Sequence, residues 1–280
     1  MRIIVAEHAG VCYGVERALK LAQEAVADGG AVHTLGPLIH NPQAVAALEA
    51  RGVVVVDSVD EVGEGTLVIR THGVDPVRVD TARAKGLSVV DATCPFVSTA
   101  QRHAADLADS GYSVFIVGEA HHPEVEGILA HTGGRAAVIE RVEDLPETLP
   151  SRRVGIVVQT TQSAALLQDV AAALLPRVNE LRVFNTICSA TSKRQQAADE
   201  LAGKVDVMIV VGGKNSGNTT RLAEICAATN ERVHHVETPS ELLPEWFAGA
   251  ETVGVTAGAS TPDEQIVGVI AAIEALARNG

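Results

Sequence analysis

Aromatic residues are almost missing from this chain: two Tyr, four Phe and one Trp among 280 residues. Any core must therefore be aliphatic. At 46% hydrophobic the chain is long enough to bury a substantial one, in one domain or several small ones. No apolar run approaches the ~18 residues needed to span a bilayer. The N-terminus also lacks a signal-peptide pattern, because "RIIVA" is too short for an h-region and Glu7 and His8 follow at once. A soluble, cytoplasmic protein is expected. Basic residues are outnumbered, 22 Lys and Arg against 35 Asp and Glu, for a formal charge of −13. Nucleic acid is thereby disfavoured as a partner, since it demands a basic face. Cysteine is scarce too, with four residues. In a cytoplasmic chain of this length, metal or catalytic use is expected ahead of disulfides.

What the chain does have is an internal repeat. "HTLGPLIHNPQAVAAL" (33–48), "FIVGEAHHPEVEGIL" (115–129) and "IVVGGKNSGNTTRLAEI" (209–225) each read apolar run, glycine, polar loop, helical pattern. Four places after the glycine stand His40, His122 and Ser216. A second loop type follows another apolar run and offers His72 in "RTHG", Thr160 and Thr161 in "QTTQ", and Ser260 in "AGAS". A helical stretch comes next. In two units a strand then leads to Cys94 in "VVDATCP" and Cys188 in "VFNTICSAT"; the third unit is completed by the N-terminal strand, which leads to Cys12. Short apolar runs alternating with helical patterns argue for parallel sheets built from βαβ units, whose ligands collect outside the carboxyl ends of the strands. The expected architecture is three similar small α/β units, 13–94, 95–187 and 188–280, the last completed by residues 1–12. Packing around a pseudo-threefold axis would bring three cysteines and six loops together.

Cys12, Cys94 and Cys188 each lie between a strand end and a helix start, a placement that suits an anionic metal ligand. Their separations of 82 and 94 residues exclude a CxxC zinc knuckle or a short ferredoxin run. Three thiolates with one histidine could hold zinc. They could equally hold a four-iron cluster with one iron left open, which acts on a substrate oxygen as a Lewis acid while the cluster passes electrons. A plainer alternative buries all the cysteines as small apolar residues in one doubly wound domain. Cys226 sits inside a helical pattern and reads as structural. The loops, rich in His, Ser, Thr and Asn at helix starts, favour a phosphate-bearing substrate. "GGKNSGNTT" is no P-loop, because Asn218-Thr219 stands where Lys-Ser/Thr belongs.

Taken in order, "HAGVCYGVERA", "HNPQAV", "THGVDP", "DATCP", "HHPEVEGI", "QTTQS", "NTICSATSKRQ", "GGKNSGNTTRL" and "TAGASTPD" resemble the 4-hydroxy-3-methylbut-2-enyl diphosphate reductases across nearly the whole chain. The resemblance implies three α/β domains around a [4Fe-4S] cluster held by Cys12, Cys94 and Cys188, prone to become [3Fe-4S] when its labile iron is lost. It implies diphosphate contacts from His40, His72, His122, Ser216, Asn218 and Ser260. Glu124 would be the proton-delivering acid, and Thr160 the hydroxyl that orients substrate and relays the proton. The implied reaction is a two-electron reductive dehydroxylation of the allylic diphosphate to isopentenyl and dimethylallyl diphosphate, with a ferredoxin or flavodoxin as electron donor. Without that resemblance Glu124 reads as a helix N-terminal carboxylate. Two departures stand out: Gly217 lies where many relatives carry a second serine, so one hydroxyl contact is either absent or replaced by backbone, and Thr71 stands where alanine is commoner. The chain stops soon after its last helix, and no fused module is expected.

Overall fold

The computed structural model describes residues 1–279; Gly280, the last residue of the third sequence unit, lies outside them. Its elements run β1 (Arg2–Val5), α1 (Tyr13–Ala27), β2 (Val32–Leu35), α2 (Pro42–Glu49), β3 (Val53–Val56), β4 (Thr66–Ile69), α3 (Pro76–Ala84), β5 (Ser88–Asp91) and α4 (Pro95–Asp109). There follow β6 (Ser113–Val117), α5 (Pro123–His131), β7 (Ala136–Ile139), β8 (Arg153–Val158), α6 (Ala164–Leu174) and β9 (Glu180–Val183). The chain ends with α7 (Ser189–Ala202), β10 (Val207–Val211), α8 (Gly217–Thr229), β11 (Val233–Val236), β12 (Thr252–Ala257) and α9 (Asp263–Asn279). Short 3₁₀ turns fill several of the connections.

Three four-stranded sheets result, ordered β3-β2-β4-β5, β7-β6-β8-β9 and β11-β10-β12-β1, and every pairing is parallel. The order is the same each time. The fourth strand of the third sheet is supplied by the N-terminus, Arg2 opposite Thr252 and Val5 opposite Val255. By chain contacts the molecule divides into two compact units: Met1–Glu16, His40–Ala46 and Ser189 onward, and Arg17–Ile39 with Ala47–Cys188. The first contains the β11-β10-β12-β1 sheet, the second the other two.

The central strands β6 and β10 are nearly continuous, buried apolar runs because helices cover both faces. In β10, Val207, Ile209 and Val211 pack with Val269 and Ile273 of α9. Met208 and Val210 face the other way, onto Ala198 and Ala202 of α7 and Leu222 and Cys226 of α8. Cys226 is fully buried and its Sγ–H donates to the Ala198 carbonyl; burial, and secondarily the charge of Asp199, pushes its thiol up to about 12. It is a core residue, as its helical setting suggested. No described helix is long and apolar enough to cross a membrane.

Two strands end earlier than their sequences suggest. β5 stops at Asp91 rather than running to Cys94, and β9 stops at Val183 rather than running to Cys188, where Thr186 turns its side chain onto the edge of β8. Its hydroxyl oxygen accepts from the Val158 N–H at 2.9 Å and its proton goes to the Val158 carbonyl. A side chain thus completes the ladder where backbone would otherwise continue.

Candidate functional site

The three cysteines are held in the same way. The N–H of Cys12 donates to the Ala259 carbonyl (3.0 Å), that of Cys94 to Thr71 (2.9 Å) and that of Cys188 to Thr160 (3.0 Å). Each is a half-buried thiol immediately before a helix, α1, α4 or α7. Cys12 belongs to the first unit, Cys94 and Cys188 to the second. Among the described residues no three His, Cys, Asp or Glu side chains are grouped for a single metal ion. The shared bond sets the register of the second loops: Thr71, Thr160 and Ala259 correspond, and so do His72, Thr161 and Ser260, one residue later. Thr161, not Thr160, is the counterpart of His72.

The first loops need a correction. Counting four residues from the glycine equates His40 with His122 and Ser216. The glycines do correspond, since the N–H groups of Gly36, Gly118 and Gly212 bond to the last residues of β3, β7 and β11. The first loop, however, is one residue longer. Helix α2 begins at Pro42, as α5 begins at Pro123 and α8 at Gly217, so Asn41 is the counterpart of His122 and Ser216. All three cap their helices. Asn41 Oδ1 accepts from Ala44 N–H (2.9 Å), His122 Nδ1 from Glu124 N–H (3.1 Å), and Ser216 Oγ from Thr219 N–H (3.4 Å). The Asn-Pro dipeptide was the available signal, an N-cap residue before a first-turn proline. Asn41 is 1% exposed and its Nδ2 donates to Gln265 Oε1 of α9 at 3.0 Å. The same alignment makes Gln43, Glu124 and Asn218 equivalent, each the second residue of its helix.

In the second unit four predicted residues come together. Glu124, 2% exposed, takes both hydrogens that Thr160 offers: the backbone N–H reaches Oε1 at 2.6 Å and the hydroxyl reaches Oε2 at 2.8 Å. His122 stands edge-on to His72, ring centroids 5.6 Å apart at 81°. Because the Glu124 N–H must be the donor to His122, Nδ1 accepts and the ring proton sits on Nε2. Gln159, fully buried, fixes the neighbouring loops: its Oε1 accepts from Glu119 N–H and its Nε2 donates to Thr161 Oγ1. Gly118 permits this, since a Cβ there would lie 2.8 Å from the Gln159 side chain.

Burial pushes the Glu124 carboxyl up from its ordinary 4.5 to about 7, against the opposing pull of the two Thr160 hydrogen bonds and with a small push from Glu119. The native protein therefore holds a proton between pH 4.5 and 7 that the unfolded chain has lost, so stability falls as pH rises through that window. Glutamine fits the same place, its carbonyl accepting from the Thr160 N–H and its amide donating to the hydroxyl. Glu124→Gln is expected to match the parent below pH 4.5 and to exceed it above pH 7 by up to about 3 kcal/mol. Denaturant melts at pH 4.5 and pH 8 measure this; equal differences at both would remove the shifted acid.

In the first unit, Ser260 Oγ donates to the His40 carbonyl at 2.9 Å, tying loop to loop. That hydroxyl would have to turn to reach a ligand. Gly217 and Asn218 open α8, where N–H groups have no intrahelical acceptor. Asn218 is 5% exposed, and both its Oδ1 and its Nδ2 are buried without a hydrogen-bond partner. Orphaned amide atoms are costly in a native interior, and a polar ligand at the helix start would satisfy them.

Comparison with known proteins gives a consistent result. Residues 3–274 match the family model described as LytB protein. A 4-hydroxy-3-methylbut-2-enyl diphosphate reductase from Citrifermentans bemidjiense is 50% identical over 277 residues, 99% of this chain and 98% of that protein. One from Aquifex aeolicus is 49% identical over 266 residues, 93% and 92%. A solved structure of (E)-4-hydroxy-3-methyl-but-2-enyl diphosphate reductase, described as the terminal enzyme of the non-mevalonate pathway, superposes with TM-score 0.72 at 48% identity, covering 98% of this chain and all of the other. The Plasmodium falciparum reductase gives TM-score 0.90 at 24% identity, over 96% and 87%, a likeness of fold.

Proposed function

The chain belongs to the LytB protein family, and on that premise we propose how its own residues carry out the family's reaction. Its activity is the reduction of 4-hydroxy-3-methylbut-2-enyl diphosphate, the terminal step of the non-mevalonate route. Two electrons and two protons enter, the C–O bond breaks, water leaves, and a new C–H bond gives isopentenyl or dimethylallyl diphosphate according to which allylic carbon is protonated. The three sequence units, 13–94, 95–187 and 188–280 with 1–12, would each supply two loops, with Cys94 at the end of the first, Cys188 immediately after the second and Cys12 in the N-terminal segment that completes the third.

Cys12, Cys94 and Cys188 would hold the [4Fe-4S] cluster. The donor set fits it: three half-buried thiols of one backbone setting, soft ligands suited to iron–sulfur, with Cys226 withheld in the core. When bound, the cluster supplies the electrons one at a time and an open iron for the departing oxygen. Those electrons come from a ferredoxin or flavodoxin in the cytoplasm.

The protein's own part is positioning and proton supply. His40, His72, His122, Ser216, Asn218 and Ser260, with the backbone N–H of Gly217, would hold the diphosphate. His122 is suited to this by its Nε2 proton, and Asn218 by its unspent amide. Glu124 holds its proton below about pH 7 and can donate it to the Thr160 hydroxyl, whose own proton is then free to pass on. That buried acid on a hydroxyl is the observation that carries the reading. A carboxylate merely facing a helix dipole would sit at the surface, where water keeps its affinity for protons ordinary.

The diphosphate assignment is tested by titration calorimetry with inorganic diphosphate. His72→Ala and Asn218→Ala should each weaken binding about ten- to a hundredfold, the loss of one hydrogen bond to a charged group. Asn218→Ala should leave the melting temperature unchanged or raised, because it removes two orphaned atoms. Undiminished affinity in both variants would refute the site.

A further inference from the structure

Between β1 and α1 the chain passes from Ala6 to Cys12 without regular structure, and it includes two left-handed residues, His8 at φ 64° and Gly10 at φ 94°. Such a conformation at a residue with a side chain persists where the surroundings hold it. Beyond Gly10 the loop is pinned at its end by the Cys12 N–H on Ala259. Its middle is held from α7. Arg194 is 3% exposed; its Nη2 donates to the Gly10 carbonyl at 2.8 Å and its Nη1 to the Ala190 carbonyl of its own helix at 3.3 Å. Gly10 is also closely packed, since a Cβ there would lie 3.1 Å from both Asp263 Oδ1 and Ile266 Cδ1. A cleft opens between the loop and the start of α7. His8, Val11, Ser189 and Lys193 border a cleft of about 280 Å³, with Arg194 in its wall. The loop that ends at Cys12 thus borders an open cleft and depends on a few fixed ties.

We propose that Arg194 is a positioning residue for Cys12: its bond to the Gly10 carbonyl fixes the loop to α7, the helix that begins one residue after Cys188, and so slows loss of iron from the cysteine. The inference rests on the reading that Cys12 is a cluster ligand. Arginine suits the task because its planar fork makes both bonds at once with little further ordering, which a lysine ammonium does not reproduce. The bond to Gly10 is not predictable from spacing, since the two residues are 184 apart in the chain.

The test compares the anaerobically purified full-length parent with Arg194→Lys and Arg194→Met. Two readouts are needed: the rate at which an iron chelator strips the cluster, and amide hydrogen exchange over residues 7–12. Arg194→Met should release iron about tenfold faster, the effect of one hydrogen bond to a charged group, with Arg194→Lys between it and the parent. Amides 7–12 should exchange faster in Arg194→Met while those of β10 and β12 keep parental rates. If Arg194→Met fails to fold, the intermediate release rate of Arg194→Lys decides. Parental rates of both iron release and exchange in the variants would overturn the proposal. A Cys12→Ser variant that still holds iron and sulfide would instead overturn the ligand reading, and this inference with it.

Discussion

Glu124→Gln should keep its cluster, bind substrate near normally and turn it over ~10²-fold or more slowly, the scale of a lost general acid. The reasoning starts from geometry. The carboxyl is buried, is hydrogen-bonded to both the N–H and the hydroxyl of Thr160, and is protonated up to about pH 7. Glutamine keeps the shape and both contacts but has no acidic proton. The defect should therefore appear in kcat, with little change in substrate affinity. The same pair predicts the pH profile. The acid is competent below about pH 7, so kcat/KM of the parent should fall as pH rises through that value, and this limb should vanish in Glu124→Gln. Thr160→Val should lose less, because water can partly replace a hydroxyl relay. Near-normal turnover by Glu124→Gln would reduce Glu124 to a buried helix-start residue, and the substrate's own diphosphate would become the leading proton source.

The cysteine variants should show the largest effect of all. Cys12→Ser, Cys94→Ser and Cys188→Ser should each lose the cluster or nearly all activity, because three thiolates already leave one iron without a protein ligand. Cys226→Ser should keep both. Its Sγ–H donates to Ala198 in the core between α7 and α8, so the hydroxyl retains a bond at the price of some packing. A cluster that survives the loss of Cys94 and of Cys188 alike, measured by visible absorption and iron content, would remove the shared ligand set.

Much of the fold was legible because its signals are local. Glycine, polar loop and helical pattern recur three times, and the three sheets repeat one strand order in consequence. What stayed illegible depended on one extra loop residue and on contacts between distant residues. Counting from Gly36 put His40 in the place that Asn41 occupies, because one extra loop residue shifts the helix start without disturbing the apolar pattern. The run to Cys188 looked like strand, yet Thr186 ends the ladder through its hydroxyl on Val158. Glu124 two residues into a helix reads as an ordinary exposed carboxylate; its burial under Thr160, 36 residues on, is what alters its chemistry. The tie from Arg194 to Gly10 leaves no periodic trace at all.

The central claim is that Cys12, Cys94 and Cys188 together hold a redox cluster, and it meets its most direct test in one composition. Anaerobically purified protein should be brown and should contain about four iron and four acid-labile sulfide per chain, falling to near zero in each of the three serine variants. Stoichiometric zinc with no sulfide would contradict it.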